Sequence, residues 1–235
     1  MVLGAAGLAA AVVLTGPAAE AAPKVPASHA VAAVPAAVDA ATPPLAGSVL
    51  AELAVKGRAP KTGYARSKYG AADWADLDHD GCWTREEVLQ RDLVKKTYKK
   101  SGRCRVVAAG VLRGPYSGKT MTFKRGSRTS GLVQIDHVVA LMDSWQKGGQ
   151  QFTPAQRLVF ANDPLNLLAV NDKLNQQKGA SDAASWLPPD KAYRCAYVAR
   201  QVAVKAKYRL WVTAAEKDAI ARILTGCPGQ RVPAG

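Results

Sequence analysis

GLVQIDHVVALMDSW, residues 131–145, sets an acid and a histidine side by side inside an apolar run. Leu132 to Ile135 read as a strand and Val138 onward as a helix, with Asp136 and His137 at the junction. Burying such a pair costs free energy unless both groups find partners. The pair is therefore either a closed structural contact or a working site.

Working outward, the pattern on both sides is mixed. Downstream, Thr153 followed by Pro154 predicts a capped helix over 154–161. LNLLAV (165–170) reads as a short strand, followed by NDKLNQQKGASD. Two helices follow, over 191–208 and 213–227, the second opening with a capping box at Thr213 and Glu216. Upstream, SVLAELAVKG (48–57) has helical spacing, and TREEVLQRDLVKKTY (84–98) reads as a helix. CRVVAAGVLRG (104–114) and KTMTF (119–123) flank the turn GPYSGK and predict a hairpin. The expected class is α+β, mainly helical, around a small strand element.

At 235 residues the chain suits one sizeable core. The first 21 residues, apolar and closing on Ala19-Glu20-Ala21, read as a secretory signal peptide, with an uncleaved anchor as the alternative. The usual basic start of such a peptide is missing, so Met1 is expected not to be the natural start. Residues 22–47, rich in Ala and Pro, read as a linker or pro-segment, and 48–230 as the folded domain. Export fits four cysteines, Cys82, Cys104, Cys195 and Cys227, none in a C-x-x-C pair. That spacing argues against a thiolate zinc site or a thioredoxin-like motif. Three disulfide pairings are open, and closeness in sequence favours Cys82–Cys104 with Cys195–Cys227. The formal charge is +14, which points to a polyanionic partner: nucleic acid, wall polymer or membrane surface.

Asp136-His137, then NDPLNLLAV, then Asn175 in NDKLNQQK form an ordered set that resembles the HNH endonucleases, the ββα-metal or His-Me finger fold. The wider run, over roughly residues 64–227 with its DGCxTR stretch and four cysteines, is similar to secreted actinobacterial HNH proteins. The version with Asn as the last ligand looks like the HNH domains of RNA-guided CRISPR effectors, where nine residues also separate the two asparagines. The resemblance implies a ββα-metal core. It makes His137 the catalytic base, has Asn166 hold the loop in shape, and gives Asp136 and Asn175 to a metal ion. No histidine follows His137, so oxygen ligands dominate and Mg²⁺ or Mn²⁺ is the expected ion. A neutral imidazole, with an ordinary pKa near 6.5, is suited to take a proton from water.

Lys178, three residues after Asn175, and Arg157 are candidate phosphate contacts, and Arg85 could reach the site from the next helix. Trp145, Trp186 and Tyr116 offer stacking surfaces, but both tryptophans are expected in the core. A second metal signal is DLDHDGCWTREE, in which Asp76, Asp78, Asp80, Gly81 and Glu87 match positions 1, 3, 5, 6 and 12 of a calcium loop. An acidic turn capped onto the next helix is the competing reading.

The function expected is a secreted, monomeric, metal-dependent HNH endonuclease cutting DNA, with RNA left open, and with low sequence preference. It carries no zinc finger or helix-turn-helix to read bases, and no stable membrane association is expected after signal cleavage. The alternative is a non-catalytic, calcium-stabilised extracellular protein that binds nucleic acid or another anionic polymer. A toxin domain delivered to competitors is a weaker third reading.

Overall fold

The computed structural model describes residues 42–70, 74–99 and 102–233. They belong to one unit beginning at Thr42, and α1 (Ala46–Glu52) starts slightly ahead of the expected boundary at 48. The expected signal peptide and most of the linker lie outside the described residues.

Two antiparallel sheets order the centre. β1 (Leu93–Tyr98), β2 (Val107–Arg113) and β3 (Thr120–Lys124) form a meander, and β4 (Val133–His137) pairs with β5 (Leu167–Asn171). The β2–β3 hairpin falls where the turn residues place it. In the second sheet Val133 faces Asn171, and His137 faces Leu167. Helix α5 (Asp172–Lys178) follows β5 without a linker, so β4, β5 and α5 make a strand–strand–helix unit. The remaining helices are α2 (Thr84–Asp92), α3 (Leu141–Gln146), α4 (Pro154–Asn162), α6 (Arg194–Lys207) and α7 (Ala214–Thr225). The class is α+β. Among the described residues no helix is long and apolar enough to cross a membrane.

Two helices are shorter than their sequence patterns suggest. The helix expected over 84–98 ends at Asp92, and the chain turns directly into β1. Val94, Thr97 and Tyr98 favour extended backbone, and the strand register against β2 starts with Leu93 opposite Leu112. The helix expected from Val138 begins only at Leu141. Val138 and Val139 are withheld from it because Asn166 takes their backbone groups, as described below.

The β4–β5 pair is apolar on both faces. Leu167 and Ala169 pack with Leu112 and Phe123 of the meander, while Leu168 and Val170 pack against Val198, Val202 and Ile220 of the helical layer. This explains the unbroken LLAV run, since a strand covered on both sides loses its alternation. Trp145 lies in a third cluster with Tyr69 and Phe160, and Trp186 packs against the helical core. Both tryptophans are packing residues, as expected.

Beneath α3, α6 and α7 sits a closed set of charges, all buried except the exposed Arg58. Lys147 Nζ lies 2.7 Å from Asp143, 2.7 Å from Asp182 and 2.6 Å from Glu216. Lys205 bridges Asp143 and Glu216 at 3.1 and 3.0 Å, and Arg58 closes on Asp182 at 2.6 Å. Three cations meet three carboxylates, so the group is neutral. Glu216 is consequently absent from the capping box expected at Thr213: Thr213 Oγ1 accepts from Glu216 N–H, but the carboxylate is drawn inward. Helix α4 has the complete box instead, Thr153 with Gln156. Cys82 is bonded to Cys104 and Cys195 to Cys227.

Candidate active site

β4 delivers Asp136 and His137 to the junction where the chain leaves the sheet. Asn166, fully buried just before β5, fixes that junction. Its Oδ1 accepts from Val139 N–H at 2.8 Å, its Nδ2 donates to Val139 O at 3.2 Å, and its own carbonyl accepts from Val138 N–H at 2.8 Å. Gln201 of α6 adds a bond to Val138 O. A loop with its polar groups satisfied this way stays in one shape.

The acid and the histidine have separate partners. Asp136, 5% exposed, accepts from Tyr116 O–H at 2.6 Å on Oδ2 and from the Lys178 ammonium at 3.0 Å on Oδ1. Burial raises its carboxyl above the ordinary range, against the pull of Lys178 and Tyr116. His137 Nε2 lies 2.8 Å from Ala161 O. A carbonyl only accepts, so Nε2 carries the proton and the lone pair is left on Nδ1. Trp74 stacks on the imidazole, centroids 5.7 Å apart and planes 14° from parallel. Burial pushes the His137 pKa down to about 3, the Ala161 bond opposes this, and the charges of Arg66 and Lys178 add to it. The ring is therefore neutral at physiological pH.

A cleft of about 230 Å³ opens over this junction, lined by Tyr64, Arg66, Asp136, His137, Met142 and Asn175 among others. Asn175 reaches it from α5 and donates through Nδ2 to Gln134 Oε1 at 2.7 Å, which leaves its amide oxygen without a donor among the described residues. Asp136, His137 and Asn175 thus line one cleft, while Asn166 holds the backbone next to His137 from within the core.

The other expected contacts lie elsewhere. Lys178 does not face solvent: it is 1% exposed, and its ammonium is committed to Asp136 and to His137 O at 2.8 Å. A phosphate contact from that position is replaced by an internal clamp. Arg157 bonds the backbone of Phe152 and Lys68 beside Trp145. Arg85 is half-buried and donates to the carbonyls of Ser130 and Val133 at the start of β4. Tyr116 is fully buried, which removes it as a stacking surface for bases. Arg66 is the contrary case, exposed on the short turn Arg66–Tyr69 at the cleft, with no hydrogen bond or ion pair among the described residues. No spacing in the sequence ties Tyr116, Trp74 or Arg66 to Asp136, and only the fold brings them there.

Beyond the cleft, Asp76, Asp78 and Asp80 each present a carboxylate oxygen, all within 4.8 Å of one another. Gly81 N–H donates to Asp76 at 3.0 Å, with Gly81 at φ +89°, a backbone setting that favours glycine. Burial, then the charges of Asp78, Asp80 and Asp76, raise the carboxyl of Glu87 on α2.

Residues 83–223, which hold Asp136, His137, Asn166 and Asn175, match the C-terminal domain of the GmrSD restriction endonucleases. The chain belongs to that family. It is thereby a member of a nuclease-related domain family. Over 184 residues it is 39% identical to a protein of Arthroderma benhamiae described as an uncharacterized secreted protein, covering 77% of this chain and 84% of the relative. No solved structure matches. Arg66 and the loop 76–80 lie outside the segment shared with the restriction endonucleases.

Proposed function

We propose that this GmrSD-family chain is a secreted, monomeric, metal-dependent endonuclease of the HNH type that hydrolyses DNA with little sequence preference. The observation carrying this reading is His137, its ring tied through Nε2 to Ala161 O and its lone pair left on Nδ1, at a cleft shared with Asp136 and Asn175. The two disulfides and the secreted fungal relative support an extracellular site of action.

Each Asp136 oxygen accepts one hydrogen bond and keeps a lone pair, and the Asn175 amide oxygen has no donor among the described residues. Two oxygens beside one cleft suit a hard divalent ion, Mg²⁺ or Mn²⁺, which takes few protein ligands and keeps its waters. Asp136 and Asn175 would hold it, and the nearby Lys178 ammonium keeps that hold modest. When bound, such an ion offsets the charge on the phosphoryl oxygens and on the leaving oxygen. His137 Nδ1 accepts the proton of the attacking water. Trp74 and Ala161 keep the ring in one plane and one tautomer, while Asn166 fixes the backbone that carries it. Arg66 faces the open side of the cleft, where its guanidinium suits a non-bridging phosphate oxygen.

The test is plasmid cleavage with Mg²⁺ or Mn²⁺, repeated with EDTA, on wild type and His137→Ala. Cleavage in the metal-loaded wild type alone is expected. Undiminished cleavage by His137→Ala overturns the assignment. Absence of cleavage with every divalent ion, alongside retained DNA binding, puts the non-catalytic binding protein in its place. RNA as substrate is read in the same assay. The loop of Asp76, Asp78, Asp80 and Glu87 is proposed as a separate, structural Ca²⁺ site, supported by its converging carboxylates. Calcium should raise the melting temperature of the wild type and not that of Asp78→Ala; equal shifts in both would sink this part.

A further inference from the structure

Between Asp92 and Asp136 the chain carries eleven Lys and Arg residues and no acid, so this segment supplies eleven of the fourteen excess positive charges. It folds as the β1–β2–β3 meander. Arg125 is spent on Glu86 at 2.5 Å, and Lys96 on a backbone carbonyl. Lys95, Lys99, Arg105, Arg113, Lys119 and Lys124 are exposed and have no ion pair among the described residues.

The register sorts the two faces. Leu93, Leu112 and Phe123 point into the core. On the opposite face Thr97, Ala109 and Lys124 lie in one row across the strands, Val94, Val111 and Thr122 in the next, and Arg113 beside Thr120 in the last. Short side chains form a low floor, and cations stand at its ends. Arg113 and Lys124 are separated by four residues of strand, about 13 Å, equal to the axial rise of about four base-pair steps of a duplex. The same hairpin carries Tyr116 in its turn, 2.6 Å from Asp136. The turn of that hairpin is thus tied directly to an acid of the cleft.

We infer that the outer face of the β1–β2–β3 meander is a sequence-independent docking surface for the phosphate backbone of the nucleic-acid substrate. This rests on the nuclease reading for the identity of the polyanion, and it adds where the substrate lies beyond the cut. A backbone contact supplies affinity without reading bases, which fits a surface built from Lys, Arg and short side chains with no exposed aromatic floor for stacking.

The experiment uses the full chain with Lys95→Gln, Arg113→Gln and Lys124→Gln combined. A control combines Lys56→Gln, Arg209→Gln and Arg222→Gln, three exposed cations from elsewhere on the surface. Affinity for a short DNA duplex is measured across a salt series, and turnover is measured on bis(p-nitrophenyl) phosphate, which is too small to reach the sheet. The sheet variant should bind DNA more weakly, with a slope of log K against log salt shallower by about 2 to 3, since each lost phosphate contact removes about 0.9. Its turnover of the small diester should be unchanged. Wild-type affinity and slope in a sheet variant that melts like wild type overturn the inference. So does an equal loss in the control, which would mean that only total charge matters. Binding is read without cleavage, so a wild type that binds through the sheet but hydrolyses nothing refutes the nuclease reading and leaves this one standing.

Discussion

Asp136 is held by two groups that no other acid among the described residues shares, the Tyr116 hydroxyl and the Lys178 ammonium, all three nearly inaccessible. Taking one partner from a buried ion pair leaves an uncompensated charge, so Lys178→Met should cost about 3–5 kcal/mol in denaturant unfolding. A loss under 1 kcal/mol would mean that Asp136 is held by something else. His137 gives a pH signature. Its pKa falls from 6.5 unfolded to about 3 folded, so the unfolded chain binds the extra proton between those values. Stability should therefore fall as the pH drops below 6.5, by about 1.4 kcal/mol per unit for one proton. In EDTA, His137→Gln should flatten that part of the profile, and an unchanged slope would exclude His137 as its source. The placement of Asp136 and His137 at the end of β4, Asn166 just before β5 and Asn175 within α5 was legible because each lies in or beside a recognisable element. The inward turn of Lys178 was not: three-residue spacing puts it near Asn175 on the helix, but whether that side meets solvent depends on β4, distant in sequence.

At the level of elements, local rules succeeded where nothing tertiary competed with them. Thr153, Pro154 and Gln156 cap α4 as their types require, and Thr153→Ala should cost about 1 kcal/mol. The matching pattern at Thr213 misleads about Glu216, because two buried lysines outbid one terminal N–H for its carboxylate. Glu216→Ala should therefore destabilise by about 3–5 kcal/mol, far beyond the loss of a cap, as read from thermal or urea melts. A cost near 1 kcal/mol would show that capping is all Glu216 does. The early end of α2 has a related cause. LVKKTY offers a workable helical stripe, yet β2 lies ready to pair with it, and the strand wins through contacts no local window contains.

For the whole molecule, composition pointed to a polyanion without locating it. The sequence already concentrates its basic residues between Asp92 and Asp136; what it withholds is which of them a strand turns outward, as with Arg113 and Lys124, and which it commits inside, as with Arg125. The cross-links act on the same scale. Cys82–Cys104 ties the acidic loop to the chain just before β2, and Cys195–Cys227 ties the start of α6 to the residues just past α7. Loop-closure entropy assigns each about 3–4 kcal/mol, comparable to much of the net stability of a domain. Cys195→Ala with Cys227→Ala should lower the melting point markedly, and an unchanged value would make that bridge redundant. The consequence reaches the cell that makes the protein. In a reducing interior the chain lacks both ties, and the junction that carries Asp136 and His137 rests on a weakened scaffold. The folded unit should thus reach its full stability only after the thiols have been oxidised.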